Sequence, residues 1–181
     1  MVEALTPALR PHMEEPFVFF GHSMGAMIAF ETARHLRRTY GFEPVHLFIS
    51  GSGPPQLPRN GPPTYDLPDD KFTKELERLN GTPREVLEHS ELLQLMMGQL
   101  RADFEVVQTY AYTSEPPLSC GISVFGGLED SETNRERLAR WREQSTGFFS
   151  ISMLPGDHFF LHTAESLLCR LLSQRLHQIV G

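Results

Sequence analysis

Gly21-His22-Ser23-Met24-Gly25, set between the apolar run Phe17-Val18-Phe19-Phe20 and a segment with helical periodicity through Leu36, restricts the fold more than any other feature of the chain. A run of β-favouring residues, a glycine-punctuated turn and an apolar-periodic segment read as strand, tight turn and helix. The turn is so sharp that the serine is expected in a strained backbone conformation. Side chains at the two flanking positions are expected to collide with neighbouring backbone, hence Gly21 and Gly25. Ser23 is thereby pushed out above the sheet. The backbone N–H of Met24, at the positive end of the helix, is placed as an oxyanion donor.

Three more apolar runs, Val45–Ser50, Gly121–Phe125 and Phe148–Met153, are buried-strand candidates. Helical patterns cover roughly Ala26–Arg38, Asp69–Tyr112, Asn134–Gln144 and Ala164–Ile179. Alternating strands and helices predict an α/β fold, a parallel sheet with helices on both faces. The stretch between the second and third strands is too long for one crossover and carries only helical patterns. It reads as an inserted helical cap at about 57–112 within a single domain spanning 1–181, entered through an extended, proline-rich connection over Pro54–Pro68.

A serine hydroxyl needs a base to act as a nucleophile, and the base needs a carboxylate to fix its tautomer. Eight histidines are present. His12, His35, His46, His89 and His177 fall in helical or strand segments where a solvated or capping role is ordinary. His158 directly follows the last strand, in Leu154-Pro155-Gly156-Asp157-His158, at the carboxyl end where ligands and catalytic groups gather. Asp130 occupies the equivalent place after the third strand, in Phe125-Gly126-Gly127-Leu128-Glu129-Asp130. Asp157 is too close to His158 in sequence to reach its ring easily, and Asp103 lies in the cap helices. Glu129 is the alternative, since a one-residue change of loop path would exchange it with Asp130. The order Ser23, Asp130, His158 is the α/β-hydrolase order.

His158 and His162, with Asp157, have a spacing that a metal could use, but the glutamate of H-E-x-x-H and any further ligand are missing, so no metal site is expected. A net charge of −7 argues against a nucleic-acid partner, and the trio Arg34, Arg37 and Arg38 on one predicted helix reads as a solvated face. The two cysteines, Cys120 and Cys169, have no metal-like or redox-like spacing and fit a reducing, cytoplasmic setting. No signal peptide or membrane span is expected.

Phe20-Gly21-His22-Ser23-Met24-Gly25-Ala26 together with Leu154-Pro155-Gly156-Asp157-His158-Phe159-Phe160-Leu161 resembles the type II thioesterases, the stand-alone enzymes that accompany nonribosomal peptide and polyketide synthases. The medium-chain fatty-acid-synthase thioesterase is a relative. The resemblance runs over nearly the whole chain, including the cap segment Leu100-Arg101-Ala102-Asp103-Phe104. It implies an α/β-hydrolase fold, no cofactor, and hydrolysis of acyl or aminoacyl thioesters from the phosphopantetheine arm of a carrier protein, the expected partner. Within the cap, Leu92, Leu93, Leu95, Met96, Met97 and Leu100 could wrap an acyl chain, although helix packing is the plainer expectation for most.

Family members carry several strands ahead of the nucleophile strand, where this chain has only about sixteen residues. The family's other oxyanion N–H, from a loop after an early strand, is expected among those missing strands, and Phe17–Phe20 is expected to present an unpaired apolar edge. A fragment or displaced start is the favoured reading, ahead of a separate completing chain or an inactive remnant. Met1-Val2-Glu3-Ala4-Leu5 reads as the interior of an amphipathic helix. The alternative functions are a catalytically impaired fragment, a non-catalytic module that binds a carrier protein, or an esterase or lipase of the same fold.

Overall fold

The computed structural model describes residues 1–59, 61–82 and 84–181. Four strands, β1 (Val18–His22), β2 (His46–Ser50), β3 (Gly121–Gly127) and β4 (Phe149–Leu154), form one sheet in the order β1-β2-β3-β4, every pair parallel. All residues of β2 and β3 are buried, which explains why both read as continuous apolar runs rather than alternating ones. Among the described residues β1 pairs with β2 alone, and Phe20 on it is 44% exposed. The first residues do form a helix, α1 (Val2–Leu9), which packs on α2 (Met24–Tyr40).

The chain divides into two compact units, Met1–Pro55 with Ser114–Gly181, and Gln56–Thr113. In the first, α2 packs on β1 and β2, while α6 (Arg135–Ala139) and the 3₁₀ turn Arg140–Gln144 lie against β3 and β4. Trp141 is fully buried there, edge-on to Phe30, and its indole N–H donates to the Ser52 carbonyl at 2.7 Å. On the opposite face, Phe48, Phe125 and Leu154 form a core with Phe160 of α7 (Phe160–Thr163) and with the apolar stripe Leu168, Leu172 and Leu176 of α8 (Glu165–Val180).

The second unit carries α3 (Asp69–Leu79), α4 (Arg84–Glu88) and α5 (Ser90–Gln108). α3 stops at Asn80 in the left-handed conformation (φ 56°). Phe72 packs edge-on to Phe104 with the Arg101 guanidinium 4.4 Å from its ring centre, and Arg101 also pairs with Asp69 at 2.7 Å. No described residue of α5 is buried, and Leu95 is 81% exposed. Leu93, Met96, Met97 and Leu100 are half-buried, so of the six residues only Leu92 and Leu95 are left without substantial packing. Within Pro54–Pro68 and Asp69–Tyr112, Asn60 and Pro83 lie outside the described residues.

Three expectations are corrected. Arg34, Arg37 and Arg38 are not simply a solvated face: Arg38 is exposed, but all three converge on Glu115, at 2.8, 3.0 and 2.5 Å, and Arg34 is only 3% exposed. Glu115 is the second residue after the chain returns from the helical unit, so the cluster anchors that return to α2. His46 is likewise buried rather than solvated, its Nε2 2.8 Å from Ser123 Oγ, which is in turn 3.0 Å from Ser150 Oγ. Gly25 is the third: it does not face the neighbouring backbone as its place in the turn suggests.

Candidate active site

β1 runs straight into α2 with Ser23 as the single residue between them, at φ 53° and ψ −117°. That backbone is costly for a side-chain-bearing residue, about 1–3 kcal/mol, and persists only where its surroundings enforce it. Part of the enforcement is visible: the Ser23 N–H donates to the Ser50 carbonyl at 2.8 Å, which ties the turn to the end of β2. A Cβ on Gly21 would lie 2.2 Å from the Gly25 carbonyl oxygen, so only glycine fits there. A Cβ on Gly25 would meet nothing within 4 Å. The strand-side glycine faces the incoming helix and the helix-side one faces open space, so the expected collision exists at Gly21 alone.

The sheet's hydrogen bonding continues past the carboxyl ends of the strands. Gly51 N–H donates to the Phe125 carbonyl at 2.9 Å, Leu128 N–H to Leu154 at 2.8 Å and Glu129 N–H to Gly156 at 3.0 Å. These bonds hold side by side the loops that carry Ser23, Asp130 and His158. Nε2 of His158 lies 3.0 Å from Ser23 Oγ, and its Nδ1 lies 3.0 Å from Asp130 Oδ2. A carboxylate can only accept, so the proton sits on Nδ1 and a bare Nε2 faces the serine.

Asp130 is held from every side. Oδ1 accepts from the Glu132 N–H at 2.8 Å and the Thr133 N–H at 3.3 Å, and Oδ2 accepts from Thr133 Oγ1 at 2.8 Å. Burial alone would raise its pKa, but the hydrogen bond and charge of His158, with the Thr133 and Glu132 donors, hold it below the ordinary carboxylate range. Glu129, the alternative carboxylate, points elsewhere and accepts from the Gly156 N–H. Asp157 accepts from the Phe159 N–H at 2.9 Å, and Asp103 from the Gln99 side chain at 2.9 Å on α5. His162 stacks on Phe159. Among the described residues no group of three or more His, Cys, Asp or Glu side chains is placed to hold a metal ion. Met24 is the first residue of α2, so its N–H has no partner within the helix.

Sequence reasoning missed Thr133 and Ser50. A threonine three residues after an aspartate is a common local hydrogen-bonding pattern and could have been flagged. Nothing local points to Ser50, whose role depends on the register that sets it beside His22.

The family model for the thioesterase domain matches residues 1–177. The chain belongs to the thioesterase family. It is 44% identical over 185 residues to the linear gramicidin dehydrogenase LgrE of Brevibacillus parabrevis, covering all of this chain and 70% of that protein. To the gramicidin S biosynthesis protein GrsT of Aneurinibacillus migulanus it is 41% identical, covering all of this chain and 71% of that protein. The solved structure of BorB, a type II thioesterase from the borrelidin biosynthetic cluster, superposes with a TM-score of 0.86 at 30% identity, over 97% of this chain and 71% of that one. The resemblance to type II thioesterases and the α/β-hydrolase fold are thus borne out, and this thioesterase is a hydrolase of acyl thioesters. None of its described helices is long and apolar enough to cross a membrane.

Proposed function

We propose that Ser23, His158 and Asp130 are the catalytic triad of this thioesterase, and that its substrates are acyl or aminoacyl thioesters on the phosphopantetheine arm of a carrier protein. The observation that carries the reading is the unbroken hydrogen-bonded chain from Ser23 Oγ through the His158 ring to Asp130. Ser23 attacks the thioester carbonyl while Nε2 of His158 takes its proton, and Asp130 steadies the imidazolium. The oxyanion that forms is received by the Met24 N–H at the head of α2. The tetrahedral intermediate collapses to an acyl-Ser23 ester, and the pantetheine thiol leaves with the proton from His158. A water deprotonated by His158 then attacks the ester and frees the acid and Ser23.

Likeness to a protein that serves gramicidin S biosynthesis and to a type II thioesterase supports a carrier-bound substrate. The dehydrogenase in the other relative's name fits this site poorly, because the glycines flank a serine as G-x-S-x-G and not as the G-x-G-x-x-G of a dinucleotide turn. The unit Gln56–Thr113 is read as the helical insertion of a single thioesterase domain. The test is to compare hydrolysis of an acyl group on a phosphopantetheinyl carrier protein with that of the matched oxygen ester. Faster turnover of the thioester is expected; preference for the oxygen ester would make the protein an esterase of the same fold, and carrier binding without turnover a non-catalytic module.

A further inference from the structure

Neither the turn nor the acyl-transfer steps use His22, although it immediately precedes the nucleophile. It is the last residue of β1 and is paired with Ser50, the last residue of β2, so both side chains emerge on one face of the sheet. Nδ1 of His22 lies 2.9 Å from Ser50 Oγ. The ring is enclosed by aromatic neighbours, with centroids 5.2 Å from His158, 5.5 Å from Phe159 and 5.7 Å from Phe160. Behind it stands Gly51 at φ 58°, where a Cβ would come within 2.6 Å of the ring carbon Cε1. Nε2 is buried and has no hydrogen-bond partner among the described residues.

An apolar ring would fill this space without stranding a buried nitrogen, so packing alone does not explain a histidine here. The tether to Ser50 does. Ser50 receives the Ser23 N–H on its carbonyl and the His22 ring on its hydroxyl, and so joins the nucleophile's backbone to the surface against which the base rests. The His22 ring is also neutral at neutral pH. Burial and the nearby His158 and His162 push its pKa down to about 4, against the opposing pull of Asp130. It has a hydroxyl for a partner where His158 has a carboxylate, so the proton taken from Ser23 stays on His158.

We propose that His22 is a positioning residue for His158: its ring, tethered by Ser50, backs the His158 imidazole and keeps Nε2 on Ser23 Oγ through both proton transfers. This rests on the triad reading above. Only a fixed ring can do this, and of the two described rings beside His158, Phe159 and His22, it is His22, tilted 54° to the His158 ring, that has a hydrogen bond to set its rotation.

The test uses the full chain and its variants His22→Phe, Ser50→Ala and the double substitution, with Ser23→Ala as control and an acyl-pantetheine thioester as substrate. A reacting group displaced by about 1 Å costs up to about 10²-fold in rate, so His22→Phe is expected to lower kcat about 10–10²-fold with KM little changed. Ser50→Ala should do the same, and the double variant should fall no further than the worse single one. As a readout apart from turnover, the NMR signal of the His158 Nδ1 proton, held by Asp130 in the parent, should broaden into exchange in both variants. A folded His22→Phe chain with parental kcat and an unbroadened proton overturns the proposal, as do two effects that add in full. Should His22→Phe fail to fold, Ser50→Ala decides by the same criteria. Activity persisting in Ser23→Ala would instead overturn the triad, whereas an inactive Ser23→Ala beside an unimpaired His22→Phe removes only the positioning role. If the parent itself does not turn over, the proton signal alone decides.

Discussion

Acidification should loosen the sheet unit through His46, and by an amount that can be worked out. The His46 ring is 1% exposed, and burial, with a smaller contribution from the nearby Arg175, pushes its pKa from 6.5 to about 4. Between those values the unfolded chain binds a proton that the folded one refuses. The stability tied to a neutral His46 is therefore complete above pH 6.5, declines as the pH falls through 6.5, and levels off near pH 4. The loss from pH 7 to pH 5 comes to about 2 kcal/mol, of a total of about 3 kcal/mol. His22 is shifted in the same direction and steepens the same slope, so the informative quantity is the difference between the parent and His46→Gln. Glutamine can keep the bond to Ser123 Oγ and does not titrate. Urea unfolding followed by the fluorescence of Trp141, the one tryptophan of the chain and fully buried in the same unit, measures it at both pH values. The parent should lose about 2 kcal/mol more than His46→Gln between pH 7 and pH 5. Equal losses in the two chains would refute a buried, neutral His46.

Replacing Asp130 by Asn should lower turnover about 10⁴-fold by favouring the wrong tautomer of His158, with the melting temperature little changed; initial rates and a thermal melt check both halves. Gly21→Ala should destabilise the fold by about 1–3 kcal/mol or prevent folding, because the new methyl meets the Gly25 carbonyl, whereas Gly25→Ala should leave the unfolding free energy in urea within about 1 kcal/mol of the parent. Glu115→Ala removes one of the two carboxylates that pair with the buried Arg34, leaving Glu31 at 2.6 Å, and should cost about 1–3 kcal/mol in urea unfolding at low and high salt alike, since a charge as buried as Arg34 is little screened.

What the sequence reveals here is what is local. The strand, turn and helix around Ser23 follow from four apolar residues, two glycines and a helical period, and the structure puts each within a few residues of its expected bounds. The three side chains singled out by their places at the carboxyl ends of strands do lie in one hydrogen-bonded chain, because a parallel sheet delivers those ends to a common edge. What escaped depends on register and on distant pairing. The arginines of α2 share a face by helical spacing, but their partner Glu115 lies 77 residues beyond Arg38, and no local pattern predicts it. His46 sits on a strand buried on both faces, where alternation gives no sign of inside or outside. The link from His22 to Ser50 follows from β1 and β2 being paired end to end, a register that neither strand encodes alone. Gly25 differs from its motif reading because the motif treats its two glycines alike, whereas the turn crowds Gly21 only.

Acylation of Ser23 is the step on which the triad mechanism turns. The direct measurement is rapid-quench mass spectrometry of the chain mixed with an acyl-phosphopantetheinyl carrier protein, followed by peptide mapping. An acyl adduct on Ser23 that forms at once, decays to free acid, and is absent from Ser23→Ala and His158→Ala is the predicted result. Hydrolysis that proceeds undiminished in Ser23→Ala, or an adduct on another residue, would contradict it.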